Sequence, residues 1–190
     1  IVFLVYRDNP KDKDTSIVKH SLIGSIPLII RNRDILLCSV SGGILSGLHV
    51  ASLSFLMLFL KDELLFSTVK AGGFLAIAQL STIPGRIGWG VAGDFLFRGQ
   101  RVMVLVLIGL SSALVLAAFP LLSPGTPQML VGILAAGIGL TVLSWVGPYT
   151  ILVVEIAGPG FTGIAIGLSN VIVRVITASL APIFGLLVDL

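Results

Sequence analysis

VMVLVLIGLSSALVLAAFPLLSPGTPQMLVGILAAGIGLTVLSWVGPYTILVV, Val102 to Val154, is a run of 53 residues without one Lys, Arg, Asp or Glu. A soluble core has no use for so long an apolar stretch, whereas about 20 apolar residues cross the hydrocarbon of a bilayer. Pro120, Ser123, Pro124, Gly125 and Pro127 interrupt the run near its middle. It therefore predicts two membrane spans joined by a tight, uncharged turn.

The flanks read the same way. Residues 35–60 form a 26-residue uncharged run, and residues 156–188 hold a single charge, Arg174. Spans are expected at 35–60, 71–93, 102–122, 128–154 and 162–188. Only 11% of the residues are charged, against about a quarter in soluble domains, so a polytopic membrane protein is the class that fits. The net charge of +3 does not point to nucleic acid, because the basic residues gather in short loops beside the spans. Residues 7–34 carry Arg7, Lys11, Lys13, Lys19, Arg31 and Arg33, and Arg98 and Arg101 fall on the same side. The opposite side holds only Lys61 and Lys70, an asymmetry that places the long loop in the cytoplasm.

Residues 1–6, Ile-Val-Phe-Leu-Val-Tyr, have no basic region ahead of them and are expected to be the tail of a helix, not a signal peptide. In the loop, Ser21 to Ile30 is a candidate interfacial helix weakened by Pro27. Glycine pairs such as Gly42-Gly43 and Gly72-Gly73 let transmembrane backbones approach closely, so the spans are expected to pack on one another. Cys38 is the only cysteine, which excludes an intramolecular disulfide. No Cys/His cluster has metal-ligand spacing, and no cofactor is expected.

Arg174 lies near the middle of its span, roughly 18 Å from either end at 1.5 Å per residue. Helical spacing groups it with Gly163, Gly167, Asn170 and Ala181 on a small and polar face. A charge at that depth costs a few kcal/mol to insert and marks function by default. Two readings stand: an anchor for an anionic substrate group, or a structural pair with a partner elsewhere. His49, central in the 35–60 span, is either a hydrogen-bonded interior histidine or a proton carrier. Gln79, Trp145, Tyr149 and Asn170 are uncharged groups able to orient a ligand in an apolar cavity or to serve packing between helices. Pro148 predicts a kink within the fourth span.

The segment GRIGWGVAGDFLFRGQR, Gly85 to Arg101, resembles the C-terminal copy of the loop signature of the major facilitator superfamily, matching at Gly90, Asp94, Arg98, Gly99 and Arg101. Phe95 and Phe97 depart from the pattern, where a basic residue and a Gly often stand. LSWVGPYTILVVEIAGPGFTGIAIGLSN, Leu143 to Asn170, is similar to the family's junction of helices ten and eleven. APIFGLLVDL, Ala181 to Leu190, resembles the close of helix eleven, and YRDNP, Tyr6 to Pro10, the exit from helix six.

The resemblance implies an all-α membrane protein with a major facilitator superfamily-like helical bundle: five complete transmembrane helices plus the tail of a sixth. Residues 1–6 would end helix six, 7–34 would form the central cytoplasmic loop, and 35–190 the C-terminal bundle of helices seven to eleven. It further implies a secondary transporter of a small solute, working with an N-terminal half in a membrane, here expected to be the inner membrane of a bacterium. Arg174, Asn170, His49, Gln79, Trp145 and Tyr149 would contact substrate. Gly90, Asp94, Arg86, Arg98, Gly99, Arg101 and Glu155 would form a gate, with Asp94 facing a helix N-terminus and an arginine pairing with it. The Leu-Phe-Arg-Gly form of the loop is similar to that of members carrying organic anions. A sensor or scaffold of the same fold is the alternative; an enzyme is not expected, since no nucleophile and base pair or metal cluster is present.

Overall fold

The computed structural model describes Pro27 and residues 31–188. The expected helix tail at 1–6, most of the loop at 7–34 and the interfacial helix expected at Ser21 to Ile30 lie outside the described residues, Pro27 apart.

Among the described residues six α-helices follow one another: α1 (Arg33–Asp62), α2 (Thr68–Phe95), α3 (Arg101–Ala117), α4 (Gln128–Leu140), α5 (Val146–Ala157) and α6 (Thr162–Val188). Polar side chains start the first two. The Asn32 side chain accepts from the backbone N–H of Asp34 at 3.0 Å and of Ile35 at 3.3 Å, capping α1. Ser67 does the same for α2 through Lys70 N–H at 3.4 Å. Between α2 and α3 the chain reverses on two left-handed residues, Arg98 (φ 49°) and Gly99 (φ 83°). Glycine suits such a position and arginine is held there at some cost.

Among the described residues three helical segments are long and apolar enough to cross a membrane: Arg33–Asp62, Arg101–Leu121 and Thr162–Leu180. The second includes a 3-10 turn at Phe119–Leu121 that Pro120 begins, so α3 proper ends short of the expected residue 122. α2 has the length but is diluted by Gln79, Pro84, Arg86 and its many glycines.

The span expected at 128–154 differs most. It is two short apolar helices, α4 and α5, separated by a non-helical stretch at residues 141–145. The expected kink at Pro148 is instead a full break one turn earlier. A proline ring collides with the carbonyl four residues back, here Ser144, so the helix cannot run through that point. Once α5 restarts at Val146, Pro148 falls in its first turn, where a missing N–H leaves nothing unpaired.

α1 packs most extensively on α6, and α2 on α4. Glycine decides both contacts. A Cβ on Gly43 would lie 2.7 Å from Ile176 Cβ, and one on Gly47 would lie 2.6 Å from Leu180 Cδ1. Between α2 and α4, a Cβ on Gly139 would collide with the Ala78 carbonyl. Close backbone approach of this kind replaces the hydrophobic drive that lipid does not supply. The buried residues form two clusters. One gathers Ile35, Val104, Ile108, Trp145, Tyr149, Val153, Ala165 and Val173; the other gathers Leu56, Leu60, Ala71, Ala78, Phe119, Val131, Ile138 and Leu143. α1 contributes to both clusters, and so does the break at 141–145, through Trp145 in the first and Leu143 in the second.

Candidate functional site

One end of the bundle is charged. Arg101, at the first turn of α3, donates through Nη2 to Asp94 Oδ1 at 2.5 Å and through Nε to Glu155 Oε1 at 3.3 Å. The guanidinium is 11% exposed, while Asp94 and Glu155 are 58% and 46% exposed. One arginine therefore ties the C-terminal ends of α2 and α5 to the start of α3. The space it occupies exists because position 93 has no side chain: a Cβ on Gly93 would lie 2.7 Å from Arg101 Nη1. The motif glycine Gly90, by contrast, has nothing within 4 Å of where its Cβ would stand. Gly93 was not singled out in the sequence; its position next to Asp94, seven residues before Gln100 and the start of α3, was the available signal.

Arg98 and Gly99 form the reversal beside this cluster, and Arg98 makes no ion pair among the described residues. Arg86 is eight residues before Asp94 on α2, about 12 Å along the axis, and also makes no ion pair among the described residues. The structure thus brings Asp94, Arg101 and Glu155 together and leaves Arg86 apart.

At mid-depth, Arg174 and Asn170 are exposed on α6, on the side opposite Ala165, Ser169 and Val173, which are buried. Gln79 and Arg86 are exposed on α2, and His49 is half-buried on α1. Arg86 and Arg174 both lie near enough to His49 to act on it electrostatically. Trp145 and Tyr149 lie elsewhere. Both are buried in the packed core, ring centroids 5.3 Å apart in an edge-on arrangement. Tyr149 lies against Gly42, where a Cβ would be 2.5 Å from its ring. Neither Trp145 Nε1 nor Tyr149 Oη has a hydrogen-bond partner among the described residues, although Tyr149 is next to the buried pair Ser39 Oγ and Ser169 Oγ, 3.0 Å apart.

The break between α4 and α5 is chemically closed. The last four carbonyls of α4 have no continuing helix to bond, and each finds a donor. Gly137 O accepts from Thr141 N–H at 3.0 Å, and Ile138 O from Leu143 N–H at 3.1 Å. Gly139 O accepts from Ser144 Oγ at 2.7 Å, and Leu140 O from the Trp89 indole at 2.7 Å. Irregular backbone at membrane depth is tolerated where protein groups satisfy it. Broken helices of this kind are used by solute carriers.

These features define a polytopic α-helical integral membrane protein. The model of the Major Facilitator Superfamily matches residues 1–182. The chain belongs to that family, whose members are secondary transporters of solutes and not enzymes. The chain matches no curated protein and no solved structure.

Proposed function

We propose that the chain is the C-terminal half of a transporter that moves a small organic anion by alternating access, driven by a proton or ion gradient or by exchange. One observation carries the reading: Arg174 is exposed at the middle of α6 and has no carboxylate partner among the described residues. An unpaired guanidinium at that depth is costly unless something anionic meets it, and a substrate that arrives and leaves meets it in the way transport needs. Asn170, one turn away on the same face, and Gln79 and His49 complete a polar lining, while Trp145 and Tyr149 lie in the packed core.

The cluster of Asp94, Arg101 and Glu155, with Gly90, Arg98 and Gly99 in the adjoining turn, acts as a cytoplasmic latch. Holding three helix ends together stabilises one conformer, and its release accompanies opening toward the cytoplasm. The long loop at 7–34 is cytoplasmic, and the membrane is the inner membrane of a bacterium.

The test is uptake of labelled organic anions into proteoliposomes holding the full-length transporter, beside Arg174→Gln and Arg174→Lys variants shown to be folded. Loss of uptake by at least about 100-fold in Arg174→Gln, equivalent to about 2.7 kcal/mol, supports the anchor. Unchanged uptake in folded Arg174→Gln makes the residue structural and removes the reading. A folded parent that moves no solute favours a sensor of the same fold.

A further inference from the structure

We infer that Arg86 and Arg174 together form a two-guanidinium site, so that the anion carried is an organic dianion with carboxylates on separate carbons. The inference rests on the organic-anion reading above and moves Arg86 from the gate to the substrate.

Placement carries it. The Arg33 end of α1, the Phe95 end of α2 and the Thr162 end of α6 lie at the charged end of the bundle. Asp94, Arg101 and Glu155 are joined there, and Asp34, Val102 and Ile156 line one groove. Counted from that end, Arg86 is nine residues deep and Arg174 twelve, about 14 Å and about 18 Å along their helices. His49 is sixteen residues deep on α1, about 24 Å. α1 packs against both α2 and α6, so the two arginines approach one region from different helices, with His49 deeper than either. Both are exposed, and neither has an ion-pair partner among the described residues. Arg101, by contrast, has two carboxylates.

Charge balance then selects the ligand. A single carboxylate leaves one guanidinium uncompensated in a poorly hydrated region, whereas a dianion neutralises both. Guanidiniums held on separate helices suit two acidic groups several atoms apart better than one compact phosphate, and each is shaped for bidentate pairing with a carboxylate. His49 adds a hydrogen-bonding group at a deeper level.

The experiment measures ligand-induced thermal stabilisation of the purified full-length transporter. The probes are malonate, succinate, glutarate and adipate, the monocarboxylates of matching length, and inorganic phosphate. The proteins are the parent, Arg86→Gln, Arg86→Lys and Arg174→Gln, each with its unliganded melting recorded as the folding control. At least one dicarboxylate is expected to bind the parent about tenfold or more tightly than its matched monocarboxylate. Arg86→Gln should erase that preference and leave monocarboxylate binding in place, Arg86→Lys should keep part of it, and Arg174→Gln should weaken both acids. A dicarboxylate preference that survives Arg86→Gln overturns the inference, as does a parent that prefers monocarboxylates or phosphate or responds to no probe. If Arg174→Gln leaves all binding unchanged, the organic-anion reading fails as well; if only Arg86→Gln is silent, that reading stands alone.

Discussion

Arg101 serves two carboxylates at once, and it does so in space that Gly93 leaves open. Helix propensity alone says that Gly93→Ala stabilises α2 by about 1 kcal/mol. The structure removes that gain, because the new methyl meets the guanidinium and pushes it from Asp94 and Glu155. Arg101→Gln is expected to destabilise the protein by about 1 kcal/mol, Gly93→Ala to be close to neutral, and the double variant to be no less stable than Arg101→Gln alone. Chemical unfolding in detergent checks all three, and a stabilised Gly93→Ala would show that the guanidinium has room to spare. At this scale the sequence was partly readable. Asp94 and Arg101 announce themselves as charges beside apolar runs, and Glu155 as the first acid after 53 uncharged residues. Which of three arginines would meet Asp94 depended on how α3 turns back from α2, and that turn rests on Arg98 and Gly99 in left-handed conformations.

At the scale of elements, the seal on the α4–α5 break is made by groups far away in the chain. Trp89 reaches Leu140 O from α2, and Ser144 Oγ, besides bonding Gly139 O, lies 3.4 Å from Thr82 O. Trp89→Phe removes the indole N–H together with the fused five-membered ring, leaving a carbonyl unpaired; a loss of about 1–3 kcal/mol beyond the lost packing is expected. Trp145→Phe is the contrast, since it loses the same ring atoms but its indole N–H has no partner among the described residues to lose. Equal effects of the two substitutions on thermal unfolding would mean that the Trp89 hydrogen bond contributes nothing. Periodicity could not have found this break, because residues 128–154 are apolar on every face. For the same reason it could not tell that Trp145 and Tyr149 point into the packed core: an aromatic ring with a polar tip looks alike in a core and in a cavity wall.

Across the whole molecule, the outer limits of the helices were legible and their mutual fit was not. Expected spans at 35–60, 71–93 and 162–188 fall within three residues of α1, α2 and α6, because charged or capping residues bracket them. The fit depends on which glycines face which side chains, and Gly42, Gly43 and Gly47 look no different in sequence from Gly72 and Gly73, which touch nothing within 4 Å. Gly43→Leu should drive α1 from Ile176 on α6 and destabilise the bundle by about 1–3 kcal/mol, while Gly73→Leu should be close to neutral; unfolding measured side by side decides whether the α1–α6 contact is as tight as drawn. The sealed break also bears on how the chain is made. Residues 128–157 leave the ribosome as one apolar segment, but the donor for Leu140 O is Trp89, made 51 residues earlier. Until α2 is at hand, that carbonyl faces lipid with no partner. Insertion of the fourth segment is thereby tied to its neighbour's arrival, and the translocation machinery has reason to hold α2 nearby instead of releasing it into the bilayer.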